Sequence, residues 1–202
     1  MGRRARNEIL FDGCFAHVLS RSFDNQQIYQ DADDFETFKT LLLESKRRAG
    51  FLLHHYCLMH THFHFLLSIP EIKKFSSALQ WLKHQYTVSY NHRHKRTGPL
   101  WRERFKSLVV EDEAYLSACG LYVEENPVKA GLVSKSEDWP HSSAAYYLSG
   151  RTDALIDPYE FDGSLEKLPS IREAMFTQGS GIGSELFLLH LEEGVLNEVS
   201  VP

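Results

Sequence analysis

Two strand-like runs, Phe51 to Met59 and His62 to Ser68, stand with only His60 and Thr61 between them. A link of two residues gives such runs one short path, back against each other as an antiparallel hairpin. The flanking segments must then pack against that hairpin. Cys14 to Arg21 is short, apolar and partly β-branched, and it reads as an earlier strand. Between it and the hairpin, Asp31 to Arg48 carries Phe35, Phe38, Leu41 and Leu42 at helical spacing. Acidic residues lie in its first turn, Lys46, Arg47 and Arg48 in its last, and Gly50 follows, the order that a helix dipole and a C-terminal stop favour.

Beyond Pro70, Phe75, Leu79, Leu82, Tyr86 and Tyr90 recur at steps of 4, 3, 4 and 4, an amphipathic helix stripe. Asn91 to Leu100 reads as a basic loop, and Arg104 to Val110 as a strand. Glu111, Asp112 and Glu113 then open a helix that carries Tyr115, Cys119, Tyr122 and Asn126, with Pro127 expected to stop it. The order is βαββαβ with one helix added: an α+β, ferredoxin-like sandwich on an antiparallel sheet. This domain is expected over residues 1–150. An acidic C-terminal extension follows over 151–202, with Gly179 to Ser184 as a hinge before a short helix, Glu185 to Leu196.

Composition narrows the class. With 43% apolar and 24% charged residues and no run near the ~18 apolar residues of a membrane helix, the chain reads as cytoplasmic, with no membrane partner. Cys14, Cys57 and Cys119 are far apart and odd in number, which suits reduced thiols and not a disulfide frame. The net charge of −5 is split: residues 1–110 hold 17 Lys and Arg against 10 Asp and Glu, and residues 111–202 hold 5 against 17. A basic working surface and a separate acidic part follow, because phosphates respond to the local field.

Two pairs of residues carry chemistry. Alternate residues of a strand share a face, so His62 and His64 can converge on one ion, as neutral imidazoles often do. Tyr122 and Asn126 are four apart on a helix and share its stripe. A phenol, with its ordinary pKa of about 10, is a weak nucleophile until a cation polarises the group under attack. Asn126 offers an amide oxygen as a third ligand, leaving positions for phosphate oxygens and water. The plainer alternatives are polar positions on a half-exposed strand and a tyrosine packed in the core.

These residues sit inside longer motifs: Tyr56-Cys57-Leu58-Met59 leading into His62-Phe63-His64-Phe65-Leu66-Leu67, Gly98 to Lys106, Tyr122 to Leu132, and Trp139-Pro140-His141-Ser142-Ser143. From about Arg3 to Gly150 the chain resembles the HUH single-tyrosine transposases, and within them the REP-associated tyrosine transposase group. The resemblance implies a Mg²⁺ or Mn²⁺ ion and single-stranded DNA as substrate, often beside a palindromic hairpin. His62, His64 and Asn126 would be the ligands, and Tyr122 the nucleophile that forms a 5′-phosphotyrosine link and frees a 3′-hydroxyl. Monomer and homodimer both occur among such proteins. One departure stands out: His60-Thr61 replaces the usual Pro-Asn, which places His60 in a His-x-His-x-His row that suggests zinc hydrolysis as an alternative. A non-catalytic DNA-binding protein is another. Tyr115, seven residues before Tyr122, is the rival nucleophile.

For DNA contacts the sequence offers Arg93, Lys95, Arg96, Arg102, Arg104 and Lys106, with Trp101 as a stacking platform and Arg3 and Arg4 as a terminal arm. The acidic extension is expected to compete with DNA for that surface.

Overall fold

The computed structural model describes residues 10–159, apart from 111 and 112 and the side chains of 113–115. The elements run β1 (Cys14–Arg21), α1 (Ala32–Ala49), β2 (Leu52–Met59), β3 (His62–Ile69), α2 (Ile72–Arg93), β4 (Lys106–Val110), α3 (Glu113–Lys129) and a short α4 (Ala144–Ser149). The four strands form one antiparallel sheet in the order β2-β3-β1-β4. This is the βαββαβ sandwich with an added helix that the sequence predicts.

α1 shows why its boundaries were legible. Asp31 caps it by accepting from the Asp34 backbone N–H at 3.1 Å, an arrangement worth about 1 kcal/mol. Gly50 ends it with φ of 68°, a conformation that costs other residues more. Its apolar stripe, Phe35, Phe38 and Leu42, is buried together with Phe75, Leu79, Leu82 and Tyr86 of α2. Both helices lie on the sheet face formed by Ala16, Val18, Leu53, Phe63, Phe65 and Leu67, where Phe38 meets Phe63 and Phe65. The opposite face carries His17, Cys57, His62, His64 and Leu66, and α3 packs against β2 and β3 there.

Four expectations need correction. The basic loop begins later, because α2 continues to Arg93. β4 starts at Lys106, not Arg104. Pro127 does not stop α3, which runs on to Lys129. A proline lacks the N–H that would bond the carbonyl four residues back. Asn126 Nδ2 supplies donors instead, to Val123 O at 3.3 Å and Tyr122 O at 2.8 Å. Last, ordered contacts continue past Gly150, where the domain boundary was expected. Tyr56 Oη donates to Asp153 at 2.5 Å, Lys46 Nζ pairs with Asp157 at 2.6 Å, and Asp157 exchanges hydrogen bonds with Leu53. With Leu58 donating to His141 O and Ser143 N–H donating to Tyr56 O, the outer edge of β2 is sheathed along its length. An unpaired strand edge invites association.

Cys14, Cys57 and Cys119 are buried free thiols, and no described helix is long and apolar enough to cross a membrane. The hinge at 179–184 and the helix at 185–196 lie outside the described residues.

Candidate active site

β3 puts His62 and His64 on the α3 side of the sheet, with ring centroids 4.9 Å apart and planes at 80°. Both are buried, 2% and 1% exposed. Burial disfavours the charged ring, so both imidazoles are held neutral: desolvation, with a smaller contribution from the Arg21 charge, takes His62 down to about 3. His64 is likewise held well below its ordinary value, first by desolvation and then by the neighbouring His62 and His17. A neutral imidazole presents a lone pair, which a metal ion requires.

The ring nitrogens differ in their surroundings. His62 Nδ1 lies 2.9 Å from Thr61 Oγ1, and His64 Nδ1 lies 3.0 Å from His17 Nε2. His64 Nε2 is buried without a hydrogen-bond partner. A buried polar atom left bare is uncommon and asks for a ligand.

α3 brings Tyr122 to this group. Its ring centroid is 6.0 Å from that of His64 and 6.3 Å from that of His17, edge-on to both. Tyr122 is itself 4% exposed, and Lys129 Nζ lies 4.4 Å from the centre of its ring. Asn126, on the same stripe, is buried, and its Nδ2 is committed to the helix backbone, which leaves its carbonyl oxygen as the group to offer. Among the described residues no three His, Cys, Asp or Glu side chains form a metal cage. Two imidazoles and an amide oxygen fit a divalent ion that completes its shell with substrate oxygens.

His60 does not join. It belongs to the turn ahead of β3, its Nδ1 lies 3.1 Å from Tyr29 O, and its ring packs against Phe35 and Trp139. That places it with the α1 side, so a three-histidine zinc site is ruled out by the turn. Tyr115's side chain lies outside the described residues.

The basic candidates divide. Arg93 is spent on carboxylates, with Asp31 at 2.7 Å, Asp34 at 2.6 Å and Asp33 at 3.0 Å, so its charge is neutralised where the sequence expected it to meet phosphate. Arg96 donates to Asn91 Oδ1 and Pro99 O and closes its own loop. Trp101 is half-buried, packed against Phe38, Phe63 and Tyr86 with its Nε1 donating to Lys83 O, so much of its ring is already covered. Lys95, Arg102 and Arg104 are exposed and enter no ion pair among the described residues. Lys106 is exposed, 3.5 Å from Glu103. The stretch lies beside the histidines, since Arg102 N–H donates to Arg21 O, Arg21 stands opposite His62, and Lys106 and His64 are both cross-strand partners of Leu19. Arg3 and Arg4 lie outside the described residues.

Sequence reasoning missed His17, Arg21 and Lys129. Alternation along β1 puts His17, Leu19 and Arg21 on one face, and Lys129 continues the Tyr122–Asn126 stripe by a turn. Those signals were present, but only the register between β1 and β3 gives them a common destination.

A ferredoxin-like sheet that presents two neutral imidazoles to a tyrosine-bearing helix is the kind of site on which a phosphate ester can be attacked. Comparisons with known proteins give the family. The family model described as "Transposase IS200 like" matches residues 11–126. The chain belongs to the IS200-like transposase family. A Haemophilus influenzae protein assigned to the REP-associated tyrosine transposases is 30% identical over 97 residues, 43% of this chain and 55% of that relative, so the chain spans about half of the relative's length. A solved REP-associated tyrosine transposase, bound to a REP hairpin, shares the fold with a TM-score of 0.60 at 20% identity, covering 80% of this chain and 96% of that one.

Proposed function

We propose that this protein cleaves and rejoins single-stranded DNA beside a hairpin, through a covalent link to Tyr122, with Mg²⁺ or Mn²⁺ held by His62, His64 and Asn126. One observation carries the reading: the buried, partnerless Nε2 of His64 lies on a ring that packs edge-on to Tyr122. When bound, the ion neutralises the scissile phosphate and fixes its orientation. Tyr122 Oη forms a bond to phosphorus as the bond from phosphorus to the 3′ oxygen breaks. The phenol proton passes to solvent, and the departing 3′ oxygen takes a proton from solvent and ends as a hydroxyl. One phosphoester replaces another, so the step reverses with little change in free energy and serves joining as well as cutting.

Other side chains divide the remaining work. Lys129, over the Tyr122 ring, and Arg21, beside His62, place positive charge where the phosphate carries its negative charge. Lys95, Arg102, Arg104 and Lys106 hold the strand by its backbone. A REP hairpin is the DNA in the solved relative, and a hairpin of that kind is the first substrate to try.

The test is a labelled strand carrying a hairpin, incubated with the protein and Mn²⁺. A protein-linked product is expected. Tyr122→Phe should abolish the adduct and the cut while leaving the hairpin bound. A band shift with no cut by the unaltered protein would replace this reading with that of a non-catalytic DNA binder, and a cut that survives Tyr122→Phe would remove Tyr122 from the chemistry.

A further inference from the structure

An imidazole that binds a metal through one nitrogen must place the proton on the other, and that N–H needs an acceptor. For His64 the acceptor is a second histidine. Leu19 of β1 pairs directly with His64 of β3, so His17, two residues earlier on the same face, lies diagonally across from it. The two rings are nearly parallel, 11° between planes and 5.2 Å between centroids, and His17 Nε2 lies 3.0 Å from His64 Nδ1.

A single proton occupies that contact, and it has two possible owners. If His17 Nε2 carries it, His64 holds its own proton on Nε2, where the structure offers no acceptor. A buried N–H would then be left unsatisfied, at a cost of roughly 1–3 kcal/mol. If His64 Nδ1 carries it, His17 Nε2 accepts, and His64 Nε2 is a bare lone pair. The second arrangement avoids the stranded donor and leaves a nitrogen ready for a cation. It also keeps His17 from being a ligand of the same ion, because its Nε2 is already committed to His64 Nδ1.

We infer that His17 is a positioning residue: it accepts the Nδ1–H of His64 and so locks His64 in the tautomer whose Nε2 can bind the ion. The inference rests on the metal role assigned to His64 above, but its central claim, the tautomer, is observable without metal. The same bond keeps the His64 ring from turning about its side-chain bonds, so the lone pair is held in place before an ion arrives. Groups that accept the outer N–H of a metal-binding histidine change metal affinity by about 10–100-fold in other sites.

The experiment has two arms on the full chain. In metal-free wild-type protein labelled with ¹⁵N, long-range ¹H–¹⁵N correlation spectra report which nitrogen of each histidine is protonated, and loss of one set of signals in His64→Gln assigns it. His64 is expected as the Nδ1–H tautomer; an Nε2–H tautomer overturns the inference whatever the metal does. In the second arm, Mn²⁺ affinity is measured by calorimetry for wild type, His17→Gln and His17→Phe. His17→Phe, which keeps a ring and loses the acceptor, should weaken Mn²⁺ by 10-fold or more. His17→Gln, which keeps an acceptor, should lose less. Equal affinities in wild type and His17→Phe sink the positioning role. If wild type itself binds no Mn²⁺, the metal reading fails and the tautomer result stands separately. Should His17→Phe not fold, the wild-type spectrum and His17→Gln still decide.

Discussion

Three histidines, the buried His17 and His62 and the half-buried His141, are held neutral chiefly by desolvation, with pKa values pushed down to about 4, about 3 and about 4. In the unfolded chain each returns to its ordinary value near 6.5. Below that value the unfolded state binds protons that the folded state refuses, so stability is highest above pH 6.5 and falls as the pH drops toward 4, by about 1.4 kcal/mol per pH unit for each histidine. His141 isolates the effect outside the site, since its ring lies flat on Phe35 at 3.5 Å and its Nδ1 is buried without a partner. His141→Phe should leave the melting temperature at pH 8 near that of wild type and flatten its decline between pH 6.5 and 5 by one proton's worth, read from melts in chelator. Parallel curves for the two proteins would show that His141 does not titrate as argued. Legibility at this scale was partial. His62, His64, Tyr122 and Asn126 stood out because their spacings are local. His60 looked equivalent to His62 by spacing alone, yet the turn carries it to Tyr29 O.

At the scale of elements, α3 is held against β2 by a small buried network. His55 Nδ1 is 2.8 Å from Glu124 Oε1, Ser143 Oγ donates to the same oxygen at 2.7 Å, and Tyr147 stacks on His55 at 4.5 Å. Gly120 makes the close approach possible, because a Cβ there would lie 2.7 Å from His55 Nε2. With Glu124 and Tyr147 fixing the ring, the imidazole has little room to yield. Gly120→Ala should therefore cost about 1–3 kcal/mol, as overpacked cores do, and appear as a lower denaturant midpoint. The same change in a His55→Ala background should be close to neutral. A similar loss in both backgrounds would place the strain elsewhere. Helix and strand identities were readable from periods of 3.6 and 2, which depend only on neighbours in sequence. The end of α2 and the passage of α3 through Pro127 were not, since the first is continued by Arg93 meeting α1 carboxylates and the second by an asparagine side chain replacing a missing N–H.

For the whole molecule, the strap at 151–157 and the acidic tail separate two effects that a single truncation at Gly150 would mix. A chain ending at Glu160 keeps the contacts of Asp153 with Tyr56 and of Asp157 with Lys46; a chain ending at Gly150 loses both and uncovers part of the β2 edge. The chain ending at Gly150 should melt lower than the chain ending at Glu160 and associate with concentration. If the tail competes for the basic surface, the chain ending at Glu160 should bind hairpin DNA more tightly than the full chain at matched salt. Equal affinities would dismiss the competition.

From its sequence alone this chain determined the kind and order of its elements, the pairing of two histidines on one strand, and the shared stripe of Tyr122 and Asn126. Each follows from backbone geometry repeating over a few residues. The tertiary structure alone decided that His17 meets His64 from 47 residues away, that Arg93 pairs with carboxylates at the start of α1 while Trp101 packs on Phe63, and that residues past Gly150 cover the sheet edge. Those outcomes depend on strand register and on which distant groups compete for the same side chain, and neither is written in local spacing.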